Sequence, residues 1–542
     1  MHPISVQIRR GSEIIAHTTT LVDVVRSDGP GRGPFSFTIL AALGDAGPRP
    51  TNGELATAAA TIEQLVALLD AVDQPITVAL PPGYLDTVAD RTGRLGGELS
   101  AALGADDRLL VVPDQPLDPS AAVAAGIDDE IARGIVRGET MLDDRFAVTP
   151  TERGAWIVDR PITADGADAI RNLGIPLLVV PFDRYLTMDN NLGAFTDPTL
   201  MFDARLSDDS SMRVMVIDPI TELLDSDGGG NPIERAVRLM ADASALRYQL
   251  DPDRRSLILT TPDIGIPDPQ VLAELSLLVA QHPDFTFRTV GEIPDNTNSV
   301  FNGGNPVLLE LDDRPEIDLG DRVQAAQTAR LAAADTASML PDDDPRPDDW
   351  DLGLRTALST GLTAGESAEI VDDVEGEIDD VRAQVVQPEA FTFTIAGASA
   401  PIPLRVENRG DTPLRVRVHV ESDKLTFPEG DLDVVLEANQ ITNVDIPVEA
   451  RSNGVFPVVV ELRTPAGTPI IDPIELTARV STLTGLGRLV TVGALLVLAT
   501  WWFSYFRRRR IERREVAIVE AQERHPAMAP EPEPTHDAGD EQ

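Results

Sequence analysis

The chain has 542 residues, 89 acidic against 45 basic side chains, a formal net charge of −44 and no cysteine. That length holds three or four domains. The acidity argues against nucleic acid or an anionic membrane surface as partner of the folded part, and the lack of cysteine excludes disulfides, thiolate nucleophiles and Cys-ligated metals.

Residues 1–28 alternate like strand, with Val6 and Ile8, then Ile14 and Ile15. A secretory leader would need a basic start and an apolar run of about 7–15 residues, which MHPISVQIRRGSEIIAHTTT does not show. This stretch is therefore expected to be the end of a truncated β-domain that begins upstream. Gly29 to Gly33 (GPGRG) form a linker. From 34 to 310, short apolar runs alternate with helical patterns. The runs are FSFTIL (from Phe35), ITVAL (Ile76), LLVV (Leu109), AWIV (Ala155), PLLVV (Pro176), RVMVI (Arg213), LILT (Leu257) and FTFRTV (Phe285). Helices are predicted over the Leu55, Ile62, Val66, Leu69 pattern, with Thr51 or Asn52 as cap, and over Ser120–Arg137, Ala164–Leu173, Pro232–Tyr248 and Asp268–Gln281. Eight such repeats predict an α/β fold of the (β/α)8-like barrel type, with an open doubly wound sheet as the alternative. Residues from Asp183 to Ser211 are expected to hold a small hairpin over the barrel mouth.

The strand ends carry the candidate chemistry. Five runs finish on Asp114, Asp159, Asp183, Asp218 and Asp263, and the last leads to Glu292. In a barrel these project at the C-terminal rim, where active sites form. Beside Trp156, Phe182 and Tyr185 they suit a sugar chain, and glycosidases work with two carboxylates. Asp159 and Asp218 are the first catalytic candidates, because strands four and six share a side-chain layer, with Asp263 and Glu292 in reserve. Asp114, Trp156, Asp183 and Tyr185 are the ligand-binding candidates. The competing role for each Asp is to cap the next helix, which the nearby Pro116, Pro161 and Pro219 favour. The six histidines (2, 17, 282, 419, 525, 536) have no HxxxH or HExxH spacing, so no metal is assigned. There is no GxSxG or phosphate-loop pattern, Asp227–Gly230 is a turn, and no cofactor is expected.

Residues 318–387 change to helical periodicity, as AAQTARLAAADTA, WDLGLRTALSTGL and a third helix opened by a Thr363/Glu366 capping box. Its Ile370, Val374, Ile378, Val381 and Val385 make an apolar stripe, expected to pack on the barrel. The acidic, proline-rich connector PDDDPRPDDW lacks the spacing of a Ca²⁺ loop. Residues 388–481 alternate with period two in seven short runs, predicting an immunoglobulin-like β-sandwich in which Arg409-Gly410-Asp411 turns a hairpin. Residues 486–506 are a transmembrane helix. Its uncharged run from Leu489 to Phe506 spans roughly 27 Å at about 1.5 Å per residue. Trp501, Trp502 and Tyr505 sit at one end, followed by Arg507–Arg510, Arg513 and Arg514. Basic residues stay cytoplasmic, so residues 507–542, basic and then disordered, are expected inside and the large N-terminal region outside.

The order of these parts, with IPLRVENRGDTPLRVRV, ELRTPAGTPI and WDLGLRTALSTGL, resembles an actinobacterial family of uncharacterised single-pass cell-envelope proteins often encoded beside the lipid II flippase. The resemblance implies a single-pass plasma-membrane protein of the cell envelope and supplies no activity; the reading favoured beside it is a protein that binds a cell-wall polysaccharide or a wall-synthesis protein through its barrel. The resemblance carries over no catalytic residue. A surface glycoside hydrolase using two rim carboxylates is the alternative.

Overall fold

The computed structural model describes residues 2–22, 34–44, 50–83, 85, 94–188, 197–249, 253–302, 304–481 and 486–519. The predicted linker Gly29–Gly33 and the tail beyond Val519 lie outside them. The chain divides into two compact units, one of Met1–Ala337 with Asp343–Asp380, the other of Ser338–Asp342 with Val381–Gln542.

The first unit is mixed α/β. It opens on an antiparallel hairpin, β1 (His2–Arg10) and β2 (Glu13–Val22). Then come β3 (Phe35–Ala42), β4 (Ile76–Ala79), β5 (Arg108–Leu110), β6 (Thr151–Glu152), β7 (Trp156–Ile157), β8 (Leu177–Val180), β9 (Phe202–Arg205), β10 (Ser211–Val216), β11 (Arg255–Leu259) and β12 (Phe285–Phe287). Two short pieces, β13 (Phe301–Asn302) and β14 (Asn305–Pro306), pair with each other, and β15 (Leu308–Leu309) joins β9. One sheet runs β11-β3-β4-β5-β6 with β12 also beside β3, and a second runs β15-β9-β10-β8-β7. All pairings in the first sheet are parallel, as are β7 to β8 and β8 to β10.

Strands covered on both faces must be apolar throughout, and every residue of β3 is buried. Phe35, Phe37 and Ile39 face a cluster with the Asn52–Ala71 and Pro269–Val279 helices. The intervening Leu40 and Ala42 join Ala79, Leu110, Val179, Met215 and Ile258 in a separate cluster. Six strands from the two sheets therefore send alternate side chains into one shared core, as the period-two rule requires.

Several predicted elements differ. FTFRTV is a strand only to Phe287. Its Thr289 and Glu292 form a capping box that starts a 3-10 turn over Val290–Glu292, and Val290 and Ile293 then fill the shared core. The predicted Ser120–Arg137 helix is two, Pro119–Ala124 and Asp128–Arg145, because Gly126 adopts φ +70° between them. The stretch expected to hold its own hairpin instead contributes β9, which pairs antiparallel with β10, the predicted sixth barrel strand, and so extends the second sheet. Three helices follow, at Gly320–Ala337, Arg346–Ala357 and Ala364–Ala383. The last begins with the predicted box, Thr363 N donating to Glu366 at 2.8 Å and Glu366 N to Thr363 Oγ1 at 3.3 Å. Its buried stripe meets the Arg346–Ala357 helix, where Gly353 lies against Val374 and Trp350 Nε1 donates to Glu377 at 2.9 Å.

The second unit holds two sheets, β16 (Val385–Val386), β18 (Ser399–Asn408), β22 (Gln440–Ala450) and β20 (Leu425–Thr426) in one, and β17 (Thr392–Ile395), β24 (Ile474–Val480), β23 (Gly454–Arg463), β19 (Leu414–Glu421) and β21 (Leu432–Leu436) in the other. Alternate residues such as Leu404, Val406, Val416 and Val418 are buried. The expected hairpin at Arg409-Gly410-Asp411 is instead a crossover, since β18 pairs with β22 while β19 pairs with β21 and β23. Buried Asn408 shapes it, donating to Thr412 O (2.9 Å) and Leu436 O (3.1 Å) and accepting from Gly410 N (2.9 Å). Ser338–Asp342 also belongs here, with Met339 O accepting from Arg415 N at 2.7 Å. The last helix, Leu486–Val519, contains Val490–Arg507, long and apolar enough to cross a membrane.

Candidate functional site

Parallel strands bring their carboxyl ends to one side, and ligands of open and closed α/β sheets bind there. In the first unit that side holds a cleft of about 580 Å³. Residues just past β3, β4, β5, β7, β8 and β11 line it, together with Thr360 from the helical segment. Of the residues singled out from the sequence, Trp156, Asp159, Asp183 and Asp263 meet in this cleft. Trp156 is half-buried on β7, in register with Leu178. The Asp159 side chain is 75% exposed, with Arg160 Nε at 3.9 Å. Asp183 opens the short Phe182–Met188 helix, is exposed, and has no hydrogen bond or ion pair among the described residues.

Asp263 accepts from Thr261 Oγ1 at 2.7 Å. The next residue, Ile264, lines the cleft at φ +58°, a region where a β-branched side chain is strained by about 1–3 kcal/mol. The loop is held there by Gly265 N donating to Thr261 Oγ1 (2.6 Å) and by Ile264 N donating to Thr261 O (3.0 Å).

Asp118 was not among the sequence candidates, yet it lines the cleft and is 9% exposed. Its carboxylate caps the Pro119–Ala124 helix, accepting from Ala121 N at 2.6 Å. Burial pushes this carboxyl above its ordinary range, and the charge of Asp159 adds to that. The Asp–Pro pair at a helix start, cap then first position, was the signal that could have found it.

The other candidates stand elsewhere. Asp114 is buried behind the cleft wall, bonded to Arg137 Nε at 3.0 Å and Arg355 Nη1 at 2.9 Å. Glu130 joins the same network through Arg137 (2.9 Å) and Arg133 (3.0 Å). Burial alone would raise the Glu130 carboxyl, but the Arg133 bond and the Arg330 charge hold it below the usual range. Gly138 lets the Asp128–Arg145 helix touch the wall directly, since a Cβ there would overlap Val112 O. Thr360 N pins the wall from the helical segment by donating to Pro116 O at 2.9 Å. Asp114 thus anchors the wall from behind and does not line the cleft. Tyr185 is 1% exposed and packs on Phe202, ring centroids 5.2 Å apart, so it is core.

Asp218 does not line the cleft. It caps the Pro219–Leu224 turn through Ile220 N at 2.9 Å, and burial raises its carboxyl, aided by the charges of Asp197 and Asp242. Glu292 bonds Thr289 N (3.0 Å) and Arg288 (3.1 Å) and borders a separate groove with Arg108, Glu152 and Gly174, at the amino ends of β5 and β8. Turning back after β12 carries it to the end of the sheets away from Asp159. Among the described residues no group of three or more His, Asp or Glu is arranged to hold a metal ion.

A family model described as a family of unknown function, DUF6049, matches residues 313–511. No curated protein matches the chain. Among solved structures, the chain is similar to a 4-alpha-glucanotransferase from Thermococcus litoralis, at 11% identity and TM-score 0.39 over 55% of this chain and 45% of that one. It is also similar to the alpha-amylase AmyC from Thermotoga maritima, at 9% identity and TM-score 0.40 over 65% and 93%. A third is an alpha-mannosidase from Enterococcus faecalis V583, at 10% identity and TM-score 0.43 over 81% and 57%. The chain thus spans less than half the length of the glucanotransferase.

Proposed function

We propose that this protein is a membrane-anchored, extracytoplasmic component of the cell envelope that binds a cell-wall glycan, or a wall-synthesis partner presenting one, in the cleft of its α/β unit. The observation that carries this reading is the cleft itself: a pocket of ligand size at the carboxyl ends of six strands, with a half-buried Trp156 and exposed Asp159, Asp183 and Asp263. An indole face stacks on a sugar ring, and carboxylates accept from its hydroxyls. The two sheets are two arcs of an incomplete (β/α)8-like barrel, a reading supported by their shared core. Residues 388–481 are an immunoglobulin-like stalk, supported by the two alternating sheets. The Val490–Arg507 helix spans the membrane with the following arginines inside. The sequence resemblance to envelope proteins encoded beside the lipid II flippase supports a place in wall synthesis.

One observation favours the hydrolase alternative. Asp118, a buried carboxyl with a raised proton affinity, shares the cleft with exposed Asp159, and glycoside hydrolysis uses such an unequal pair. The test is a screen of the purified protein against peptidoglycan and arabinogalactan fragments, read for both binding and cleavage. Binding without cleavage is expected. Failure of every fragment to bind would overturn the glycan reading. Cleavage that Asp118→Asn and Asp159→Asn each abolish without loss of melting temperature would establish the hydrolase instead.

A further inference from the structure

The cleft also has a chemical polarity, and this inference rests on the glycan reading above. Strand ends and helix starts are normally rich in free backbone N–H groups, which is why such places bind phosphates and carboxylates. Here six prolines line the cleft: Pro81, Pro113, Pro116, Pro119, Pro181 and Pro262. Each lacks an N–H, so the wall is short of donors at those positions. Two of the described helices start at the cleft: Asp118 closes the first by taking the Ala121 N–H, and Asp183 stands in the first turn of the second, Phe182–Met188, where its charge opposes an incoming anion. What the wall offers is acceptors.

The charges point the same way. Four aspartates, Asp118, Asp159, Asp183 and Asp263, face two arginines, Arg160 and Arg184. Arg160 lies 3.9 Å from Asp159, so these two offset each other. Arg184 is then outnumbered by Asp118, Asp183 and Asp263. The chain's net charge of −44 adds a field of the same sign, which concentrates cations and repels anions. The Trp156 ring supplies a face on which an ammonium group is stabilised.

We infer that the cleft selects a glycan with free amino groups, a hexosamine oligomer that is positively charged and donates hydrogen bonds, and discriminates against glycans bearing carboxylates or phosphates. The neutral N-acetylated oligomer is the reference ligand, since it keeps the ring that stacks on Trp156 and loses only the charge.

The test uses the full chain in detergent micelles and three probes: a glucosamine oligomer, the N-acetylglucosamine oligomer of the same length, and a glucuronate-containing oligomer. Calorimetry at low salt is expected to show the glucosamine form binding on the order of ten-fold tighter than the acetylated one, the glucuronate form weakest, and the preference shrinking as salt screens it. In the Asp183→Asn/Asp263→Asn variant the glucosamine form should lose more affinity than the acetylated one, so that the preference shrinks towards parity. If that variant melts early, the single change at exposed Asp183 carries the test, with a partial loss of preference expected. Equal binding of the first two probes, or preference for glucuronate, overturns this inference and leaves the glycan reading standing. A preference that survives the variant undiminished also overturns it, by placing the effect on the acidic surface at large. Binding of none of the three also overturns this inference, while the glycan reading then stands or falls on the peptidoglycan and arabinogalactan screen.

Discussion

Replacing Asp114 by alanine tests the ion-pair network behind the cleft. The side chain is 6% exposed and holds two arginines from distant parts of the chain, Arg137 at 31% exposure and Arg355 at 14%. Removing one partner of a buried pair costs about 3–5 kcal/mol, because it strands charge in a poor solvent. The lower end applies here, since Arg137 keeps Glu130 at 2.9 Å and Arg355 keeps Asp351 at 3.0 Å. At about 2–4 °C per kcal/mol for a large domain, a loss of ~3 kcal/mol lowers the melting temperature of the α/β unit by roughly 6–12 °C. The Val112–Pro116 wall should also lose its register, so affinity for any cleft ligand should fall in the variant that remains folded. Differential scanning calorimetry checks the first effect and ligand titration the second. An Asp114→Ala/Arg355→Ala double variant should cost less than the two single changes added together, because the stranded arginine is gone. A shift below 2 °C, or strict additivity in the double variant, would refute the network's role.

Three further outcomes are expected. Val418→Asp puts an unpaired charge at a position with 0% exposure, between β21 and β23, at a cost on the order of several kcal/mol; the transition of the second unit should disappear while that of the first persists, and an unchanged thermogram would mean the strand register is wrong. Asp218→Asn keeps the cap, since Asn serves as well, and removes a carboxylate whose proton affinity burial has raised above the ordinary value of 3.8. The folded state holds that proton longer than the unfolded chain, so the wild type loses stability as pH rises between 3.8 and the raised value. The variant should therefore melt higher than wild type at pH 7 and equally at pH 3, with cleft binding unchanged; a lower melting point at pH 7 contradicts the sign. Protease added to intact cells should digest the region before Ser481 and spare the C-terminal tail, and a protected N-terminal region would reverse the proposed topology.

Much of the architecture was legible because it depends on local periodicity. The apolar runs at Phe35, Ile76 and Leu177 formed strands because a strand buried on both faces admits little else. The Thr363/Glu366 box was visible from a four-residue pattern and the Val490–Arg507 part of the last helix from an unbroken apolar run, although that helix continues past the expected end at 506 to Val519. The Gly126 break was the exception within a local signal. A glycine is tolerated inside a helix, so its presence alone does not mark a break; here Gly126 at φ +70° ends the first helix, with Gly126 N donating to Val123 O and Ile127 N to Ala122 O.

The site was legible only in part, for a reason that lies in the fold. Sequence alone determined that acidic groups would follow the strands. It could not tell Asp159, Asp183 and Asp263 from Asp114 and Asp218, because all five follow an apolar run and have a proline within two residues, and it passed over Asp118, which precedes a proline without such a run. Tertiary structure decided between them. It brought Arg137 and Arg355 from positions far apart in the chain to neutralise Asp114, turned Asp118 into the cleft, and left Asp218 capping its own turn outside it. It carried Glu292 to the amino ends of the strands, because β12 stops at Phe287 and the following turn fills the core. Which carboxylate faces solvent depends on contacts between residues distant in sequence, and those contacts leave no periodic trace in the chain.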